Sequence, residues 1–275
     1  MPNSKNILAP VTLIANGRSG TSLIQSIFGN HPAFDICGET AAQIFGTFHA
    51  TDRLEGLVRA DNLLEPNVDF KERSGKATRA AILETFRRPG KRYWMHKPIG
   101  VPWVWNALGQ RGLEEDDRIK WYWDVLAYSF PESMNITVLR HPYDVVLSAE
   151  HYWGITLKQA WGSIVRMAQI LSHKNANIKH AVVYDLLVQE PLAETERLFS
   201  AIERPFNPAS LHAFEHLWVP EMGKQKVDLK DDNPRLQAQF ARKKDWERVR
   251  AAGFSQGDHE VLSAMWEQYG AKLAF

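Results

Sequence analysis

The sequence predicts an α/β fold with a parallel, doubly wound sheet flanked by helices. Two observations indicate it: residues 9–15 and 135–139 are short apolar runs, and each passes through a polar turn into a segment with apolar residues at helical spacing. Strand-like and helix-like segments alternate along the rest of the chain. Such alternation is typical of parallel sheets that carry helices on both faces.

The first unit starts with a strand at residues 9–15, which the polar turn at residues 16–20 ends. A helix is expected from Thr21 to about Asn30, because apolar side chains recur there at helical spacing and Pro32 follows shortly after. The result is a strand, loop and helix in immediate succession.

The second unit repeats this order, with a strand at residues 135–139 and a helix from Pro142, since proline suits the first helical turn. We expect further strands at residues 93–96 and 180–184 and further helices at residues 157–172, from 191, at 208–218 and at 259–269.

We expect one domain over residues 1–275, with two special segments. Residues 51–92 are polar and mainly helical in character, which fits an insertion over the carboxyl edge of the sheet, on the side of an acceptor substrate. Residues 221–248 are polar and rich in Lys and Arg. They are either a solvated surface segment or a basic flap over an anionic ligand.

Composition narrows the classes of function. The formal net charge of the 275 residues is +1, which argues against a general attraction to nucleic acid or anionic lipid, so any anion site must be local. A single cysteine, Cys37, allows no intrachain disulfide and fits a reducing compartment, so a cytoplasmic location is expected. The sequence has no apolar stretch of about 20 residues, so no membrane insertion is expected.

A first candidate anion site lies at residues 17–22, which read Gly-Arg-Ser-Gly-Thr-Ser. A glycine-rich turn between a strand and a helix directs backbone N–H groups and the positive end of the helix dipole at a bound phosphate. The triphosphatase pattern Gly-x-x-x-x-Gly-Lys-Ser/Thr is absent, because the spacing is short and no lysine follows Gly20. ATP hydrolysis is therefore disfavoured.

A second candidate anion site follows the strand at residues 135–139. Arg140 ends that strand, and Ser148 lies eight positions later on the expected helix. The planar guanidinium of arginine matches phosphate oxygens and stays charged at any working pH. Arg140 could instead form a structural pair with Asp144.

Taken together, the two motifs resemble those of sulfotransferases that use 3′-phosphoadenosine-5′-phosphosulfate (PAPS). They are similar to the tyrosylprotein and bacterial sulfotransferases, whose 5′-phosphosulfate loop carries an arginine where cytosolic members carry a lysine. The resemblance covers about residues 11–206 and implies a P-loop-like sulfotransferase architecture. It implies that the donor's 5′-phosphosulfate is bound by Arg18, Ser19, Gly20, Thr21 and Ser22. It also implies that Arg140 and Ser148 bind the 3′-phosphate, with Tyr184 near the nucleotide.

The same resemblance implies catalytic roles for three further side chains. Glu39 would be the base that accepts the acceptor's proton, and Lys97, together with Arg18, would stabilise the charge on the leaving group. His96 is the competing candidate for the base. The acceptor would be a hydroxyl-bearing carbohydrate, tyrosine or small metabolite, adenosine 3′,5′-bisphosphate would be released, and no metal would be needed.

Other interpretations stay open. A non-catalytic protein that binds PAPS or its product would keep the pocket without the transfer. His212-x-x-Glu215-His216 matches a zinc peptidase motif if a helix places both histidines on one face. Residues 242–246 resemble a late basic loop of the family but lack its glycines, so their role is open, as are the acceptor's identity and the oligomeric state.

Overall fold

The computed structural model describes residues 9–60, 69–86, 90–99, 102–219, 223–226 and 245–275. Its strands are β1 (Val11–Leu13), β2 (Phe34–Glu39), β3 (Tyr93–Lys97), β4 (Met134–Leu139), β5 (His180–Val183), β6 (His216–Val219) and β7 (Gly223–Lys226). Its helices are α1 (Thr21–Asn30), α2 (Ala41–Ala60), α3 (Phe70–Phe86), α4 (Pro102–Gln110), α5 (Glu115–Ser129), α6 (Pro142–Trp153), α7 (Leu157–Ser172), α8 (Tyr184–Gln189), α9 (Pro191–Ala201), a 3-10 helix (Pro208–Phe214), α10 (Trp246–Arg250) and α11 (Gln256–Gln268).

Within the described residues, β1 to β5 form one sheet in the order β2-β3-β1-β4-β5, and all its pairs are parallel. β1 lies at the centre, between β3 and β4; the chain builds β2 and β3 on one side of it and then crosses to β4 and β5 on the other side. In parallel α/β sheets, ligands bind beyond the carboxyl ends of the strands where the strand order reverses. The predicted α/β, doubly wound architecture is confirmed, and it brings the loops after β1 and β4 to the same edge.

Helices cover both faces of this sheet. On one face, strand residues such as Val11, Leu13 and Ile136 pack with α1, α8 and α9. On the other face, Ile14, Trp94 and Leu139 share a core with α2, α5, α6, α7 and α11. Strands buried on both faces are expected to be continuously apolar, which explains why the β1 run was recognisable from sequence.

The helices that follow β1 and β4 start and end where their sequences predict. The apolar stripe of α1 is buried against the sheet, with Leu23, Ile24, Ile27 and Phe28 at most 3% exposed. α6 begins at Pro142, after His141 has capped it by accepting a hydrogen bond from the backbone N–H of Tyr143. It ends at Gly154, which adopts the left-handed conformation with φ of 64°.

One predicted element is wrong. Residues 208–218 do not form an α-helix: Pro208–Phe214 form a 3-10 helix, and His216–Val219 form a strand paired with Gly223–Lys226. The antiparallel ladder supplies the backbone hydrogen bonds that a continued helix would have supplied. β2 and α5 were not predicted at all. The sequence of β2, Phe-Asp-Ile-Cys-Gly-Glu, mixes polar residues and glycine with its apolar positions.

The structure describes only part of the two segments expected to border the site, residues 51–92 and residues 221–248. The described residues within 51–92 belong mainly to α2 and α3, while residues 61–68 and 87–89 lie outside the described part. Of the expected basic flap at 221–248, residues 221–222 and 227–244 lie outside it as well. None of the helices in the described ranges is long and apolar enough to span a membrane.

Candidate active site

The loop between β1 and α1 has an unusual backbone. Arg18 and Gly20 both have positive φ, of 69° and 110°. The Ser19 hydroxyl donates to the carbonyl oxygen of Asn16 at 2.6 Å, and the Ser163 hydroxyl of α7 donates to the side-chain oxygen of Asn16 at 2.9 Å. The loop is therefore fixed from within and from a neighbouring helix, and the Ser19 hydroxyl is engaged inside it.

Two glycines let other groups approach this loop closely. A Cβ on Gly17 would lie 2.4 Å from the indole of Trp153, at the end of α6. A Cβ on Gly20 would lie 2.3 Å from the ring of Tyr184, at the start of α8. A side chain at Gly20 would collide with the buried ring of Tyr184, so glycine is required there. At Gly17 the half-exposed indole of Trp153 would have to turn aside.

The N-terminus of α1 faces the same loop. No side chain caps it at Gly20, and its first intrahelical bonds run from Leu23 and Ile24 back to the carbonyl oxygen of Gly20. The N–H groups of Thr21 and Ser22 precede these bonds, and helix N-termini with such N–H groups attract anions. The side chain of Thr21 is buried and that of Ser22 is exposed.

Arg140 lies at the end of β4 and is only 8% exposed. Its Nη1 donates to the carbonyl oxygen of Arg18 at 3.0 Å, and its guanidinium lies over the ring of Tyr184 at 4.6 Å. Nε and Nη2 are buried and have no hydrogen-bond partner among the described residues. Buried donors without partners are rare, so these two atoms are suited to a ligand that brings acceptor oxygens.

The side chain of Arg18 extends towards α6 and contacts Ser148, which belongs to the second candidate anion site. Its Nε donates to the Ser148 hydroxyl at 3.2 Å, and its guanidinium lies 4.0 Å from the centre of the Tyr152 ring. Burial lowers the pKa of Arg18, and the positive charge of Arg140 lowers it as well. An anion bound beside the two guanidinium groups would relieve their repulsion.

Glu39 and Lys97 form a pair at the ends of β2 and β3. The two residues are neighbours in the register of these strands, after a bulge that contains Gly38 with φ of 65°. Lys97 Nζ lies 3.2 Å from Glu39 Oε1; the lysine side chain is 9% exposed and the glutamate side chain 63%. Because β3 pairs with β1, this accessible carboxylate lies at the same sheet edge as the loop after β1.

His96 is enclosed on the opposite face of β3 from Lys97, since successive strand residues alternate. It is 0% exposed, and its Nε2 and Nδ1 each lie 2.8 Å from a threonine hydroxyl, of Thr12 and Thr40 respectively. Burial lowers its pKa to about 3. The imidazole is thus neutral, and both ring nitrogens are occupied by hydrogen bonds.

The model of the family described as "Sulfotransferase family" matches residues 10–208, which is more than half of the chain and includes both anion loops and the Glu39–Lys97 pair. The chain belongs to the sulfotransferase family. No curated protein matches this sulfotransferase in sequence.

One solved sulfotransferase structure shares its fold, and two others are less similar to it. The sulfotransferase domain of the Synechococcus PCC 7002 olefin synthase is 17% identical, aligns over 100% of this chain and 99% of its own, and has a TM-score of 0.52. The sulfotransferase domain from the curacin biosynthetic pathway is 14% identical over 97% of this chain and 99% of its own, with a TM-score of 0.49. The sulfotransferase from Alicyclobacillus acidocaldarius is 13% identical over 97% and 98%, with a TM-score of 0.45.

In this sulfotransferase, the candidate site residues other than the enclosed His96 lie in two groups at one sheet edge. The first joins the loop after β1 to Arg140, Ser148 and Tyr184 through the contacts given above. The second is the Glu39–Lys97 pair. Tyr152 was missed, although an aromatic residue one helical turn after Ser148 lies on the same face of α6 and could have been found from that spacing.

The zinc peptidase interpretation does not agree with the structure of its motif. His212 lies in the 3-10 helix, Glu215 follows it, and His216 starts β6, so the two histidines are not on one turn of an α-helix. Among the described residues, no group of three or more His, Cys, Asp or Glu side chains could hold a metal ion.

Proposed function

We propose that this sulfotransferase transfers the sulfuryl group of PAPS to an acceptor hydroxyl and releases adenosine 3′,5′-bisphosphate. The observation that carries the proposal is the position of Arg140, which is hydrogen-bonded to the loop after β1 and keeps two buried donors, Nε and Nη2, without partners among the described residues. A donor nucleotide with phosphate groups at both ends matches two joined anion loops.

The binding roles follow from the donors that each loop offers. The N–H groups at the start of α1 and the hydroxyls of Thr21 and Ser22 suit the 5′-phosphosulfate. Arg140 and Ser148 suit the 3′-phosphate. Arg18 belongs to the first loop by its backbone and reaches Ser148 by its side chain, so we assign it a bridging role between the two ends of the nucleotide.

In the transfer, a bond forms between the acceptor oxygen and sulfur, and the bond between sulfur and the 5′-phosphate oxygen breaks. PAPS supplies the activated sulfuryl group. Glu39 accepts the proton of the acceptor hydroxyl as it attacks. Lys97, held within reach of Glu39, provides a fixed positive charge for the transferring and leaving groups. The products are a sulfate ester and the bisphosphate.

We assign the base to Glu39 and not to His96 on the basis of access. The Glu39 side chain is 63% exposed at the carboxyl edge of the sheet. The imidazole of His96 is enclosed, and both its ring nitrogens are hydrogen-bonded to threonines. A base must come within hydrogen-bond reach of the proton that it removes, and only the carboxylate is accessible to a substrate.

The acceptor would enter beside α2. This helix begins at Ala41, two residues after Glu39, so its first turn borders the proposed base. The described part of the segment 51–92 continues α2 and adds α3, and we propose that it contributes to acceptor binding. A carbohydrate, a tyrosine and a small hydroxylated metabolite all supply the hydroxyl that this chemistry requires.

The test combines transfer and binding measurements. The protein is incubated with sulfur-labelled PAPS and a panel of sugar, tyrosine-peptide and small phenol or alcohol acceptors. Glu39→Gln is then compared with wild type and with Glu196→Gln, an exposed glutamate of α9. We expect Glu39→Gln to lower the transfer rate by about 10²- to 10⁴-fold with unchanged affinity for the bisphosphate, and Glu196→Gln to have no effect.

Two results would contradict the proposal. Transfer by Glu39→Gln at the wild-type rate would exclude Glu39 as the base. A wild-type protein that binds ATP in preference to adenosine 3′,5′-bisphosphate would exclude PAPS as the donor.

A further inference from the structure

A segment beyond the family match packs onto the second anion loop. The indole Nε1 of Trp246, at the start of α10, donates to Asp144 Oδ1 at 2.9 Å. The indole ring also stacks on the imidazole of His141, with 3.9 Å between ring centres and 15° between planes. Asp144 lies in the first turn of α6 and is 2% exposed.

The same carboxylate faces Arg140. Asp144 Oδ2 lies 3.8 Å from Arg140 Nε, which is within ion-pair range but beyond hydrogen-bond distance. One oxygen of Asp144 is thus held by the indole, and the other lies close to the guanidinium without a hydrogen bond to it.

This arrangement leaves Arg140 Nε and Nη2 available to donate hydrogen bonds to an anion. The guanidinium is fixed by Tyr184 beneath it and by the hydrogen bond from Nη1 to Arg18. A carboxylate that moved about 1 Å closer would accept a hydrogen bond from Nε and neutralise the charge more fully. The indole N–H gives the buried carboxylate a partner on its other side and so opposes that movement.

We propose that Trp246 is a positioning residue for the 3′-phosphate: its indole N–H holds Asp144 back, so that Arg140 Nε and Nη2 stay available to phosphate oxygens. This inference rests on the proposed function, which places the 3′-phosphate at Arg140. Trp246 acts on Arg140 through Asp144, which contacts both residues.

Trp246→Phe tests the inference, because phenylalanine keeps an aromatic ring beside His141 and removes the indole N–H, together with part of the larger indole ring. Arg248→Gln is the matched control. Arg248 pairs with both carboxylate oxygens of Glu150, at 2.8 and 2.5 Å, so this variant loosens α10 from α6 without touching Asp144. Each variant is titrated calorimetrically with adenosine 3′,5′-bisphosphate and with adenosine 5′-monophosphate, and its melting temperature is recorded.

We expect Trp246→Phe to lose about 5- to 10-fold in affinity for the bisphosphate, equivalent to one hydrogen bond of roughly 1 kcal/mol, and to keep its affinity for the monophosphate. Arg248→Gln should keep the wild-type ratio of the two affinities. An unchanged ratio in Trp246→Phe, or an equal loss for both ligands, would overturn the inference. A wild-type protein without preference for the bisphosphate would instead contradict the proposed function itself.

Discussion

Arg140 donates a hydrogen bond from Nη1 to the carbonyl oxygen of Arg18, 3.0 Å away, although the two residues are 122 positions apart in the chain. The bond is possible because β1 and β4 are parallel neighbours, so the loops that follow them leave the sheet at the same edge. The loops after β1 and β4 are therefore joined at one sheet edge, and a change in either loop should affect the position of the other.

Gly20→Ala tests the close contact between the first loop and Tyr184. The added Cβ would lie 2.3 Å from the tyrosine ring, on a residue whose φ is 110°. We expect a loss of at least about 2 kcal/mol in the free energy of unfolding, from backbone strain and overpacking together, and weaker nucleotide binding. Chemical denaturation measures the first and calorimetry the second.

Gly162→Ala is the control for that substitution. Gly162 lies in α7, has no positive φ, and an added Cβ would meet nothing within 4 Å. Alanine there should stabilise the protein by about 0.5–1 kcal/mol, because glycine is a poor helix former. Equal stability of the two alanine variants would show that Gly20 does not need its special conformation.

Arg140→Lys tests whether the second site needs a planar guanidinium. Lysine keeps the charge but cannot donate to Arg18 and to a phosphate at once in the same geometry. We expect the Kd for adenosine 3′,5′-bisphosphate to rise about 10- to 100-fold, which corresponds to roughly 1.5–3 kcal/mol. Arg197→Lys, on an exposed side chain of α9, should leave the Kd unchanged. A wild-type Kd in Arg140→Lys would remove Arg140 from the binding site.

Lys97→Met tests the role of the buried lysine in the chemical step. If its charge acts on the group that is transferred, kcat should fall by about 10²- to 10³-fold while the affinity for the bisphosphate changes little. Lys158→Met, on the exposed side of α7, is the control. Steady-state rates at saturating labelled PAPS and acceptor give kcat, and equal losses in kcat and in affinity would show that Lys97 serves binding instead.

His96 makes the stability of the protein depend on pH. Its folded-state pKa is about 3, well below the value of about 6.5 in an unfolded chain. Below the unfolded value, the unfolded chain binds a proton that the folded protein does not. The neutral His96 therefore makes its full contribution to the free energy of unfolding above about pH 6.5. As the pH falls from there towards the folded pKa, this contribution is lost by at most about 1.4 kcal/mol per pH unit.

His96→Gln measures this contribution. Glutamine can hydrogen-bond to Thr12 and Thr40 but does not titrate. Urea unfolding over a pH series should show a smaller acid loss of stability in the variant than in wild type. The same acid loss in both proteins would mean that His96 binds protons equally in the folded and unfolded states.

The units that contain the anion loops could be predicted because their signals are local. An apolar strand buried on both faces, a turn and a helix with one apolar stripe each leave a pattern within about ten residues, as in α1 and α6. β2 left no such pattern, since Asp35, Gly38 and Glu39 interrupt its apolar residues. Residues 216–218 were mistaken for part of a helix because the strand His216–Val219 depends on its partner strand, Gly223–Lys226.

The sequence indicated which residues are candidates for the site, but it did not indicate which of their side chains contact one another. The side chain of Arg18 reaches Ser148, 130 positions away, and Trp246 reaches Asp144, 102 positions away. Such pairs depend on how helices dock after the strands have aligned, and no spacing within one segment encodes them. The enclosure of His96 is also a tertiary property, which explains why the sequence left it as a rival to Glu39.

A crystal structure of the complex with adenosine 3′,5′-bisphosphate tests the central claim most directly. We predict that the 5′-phosphate contacts the N–H groups at residues 19–22 and that the 3′-phosphate accepts hydrogen bonds from Arg140 and Ser148. A nucleotide that contacts only one of the two loops, or that binds elsewhere on the molecule, would contradict the claim that both loops hold one ligand.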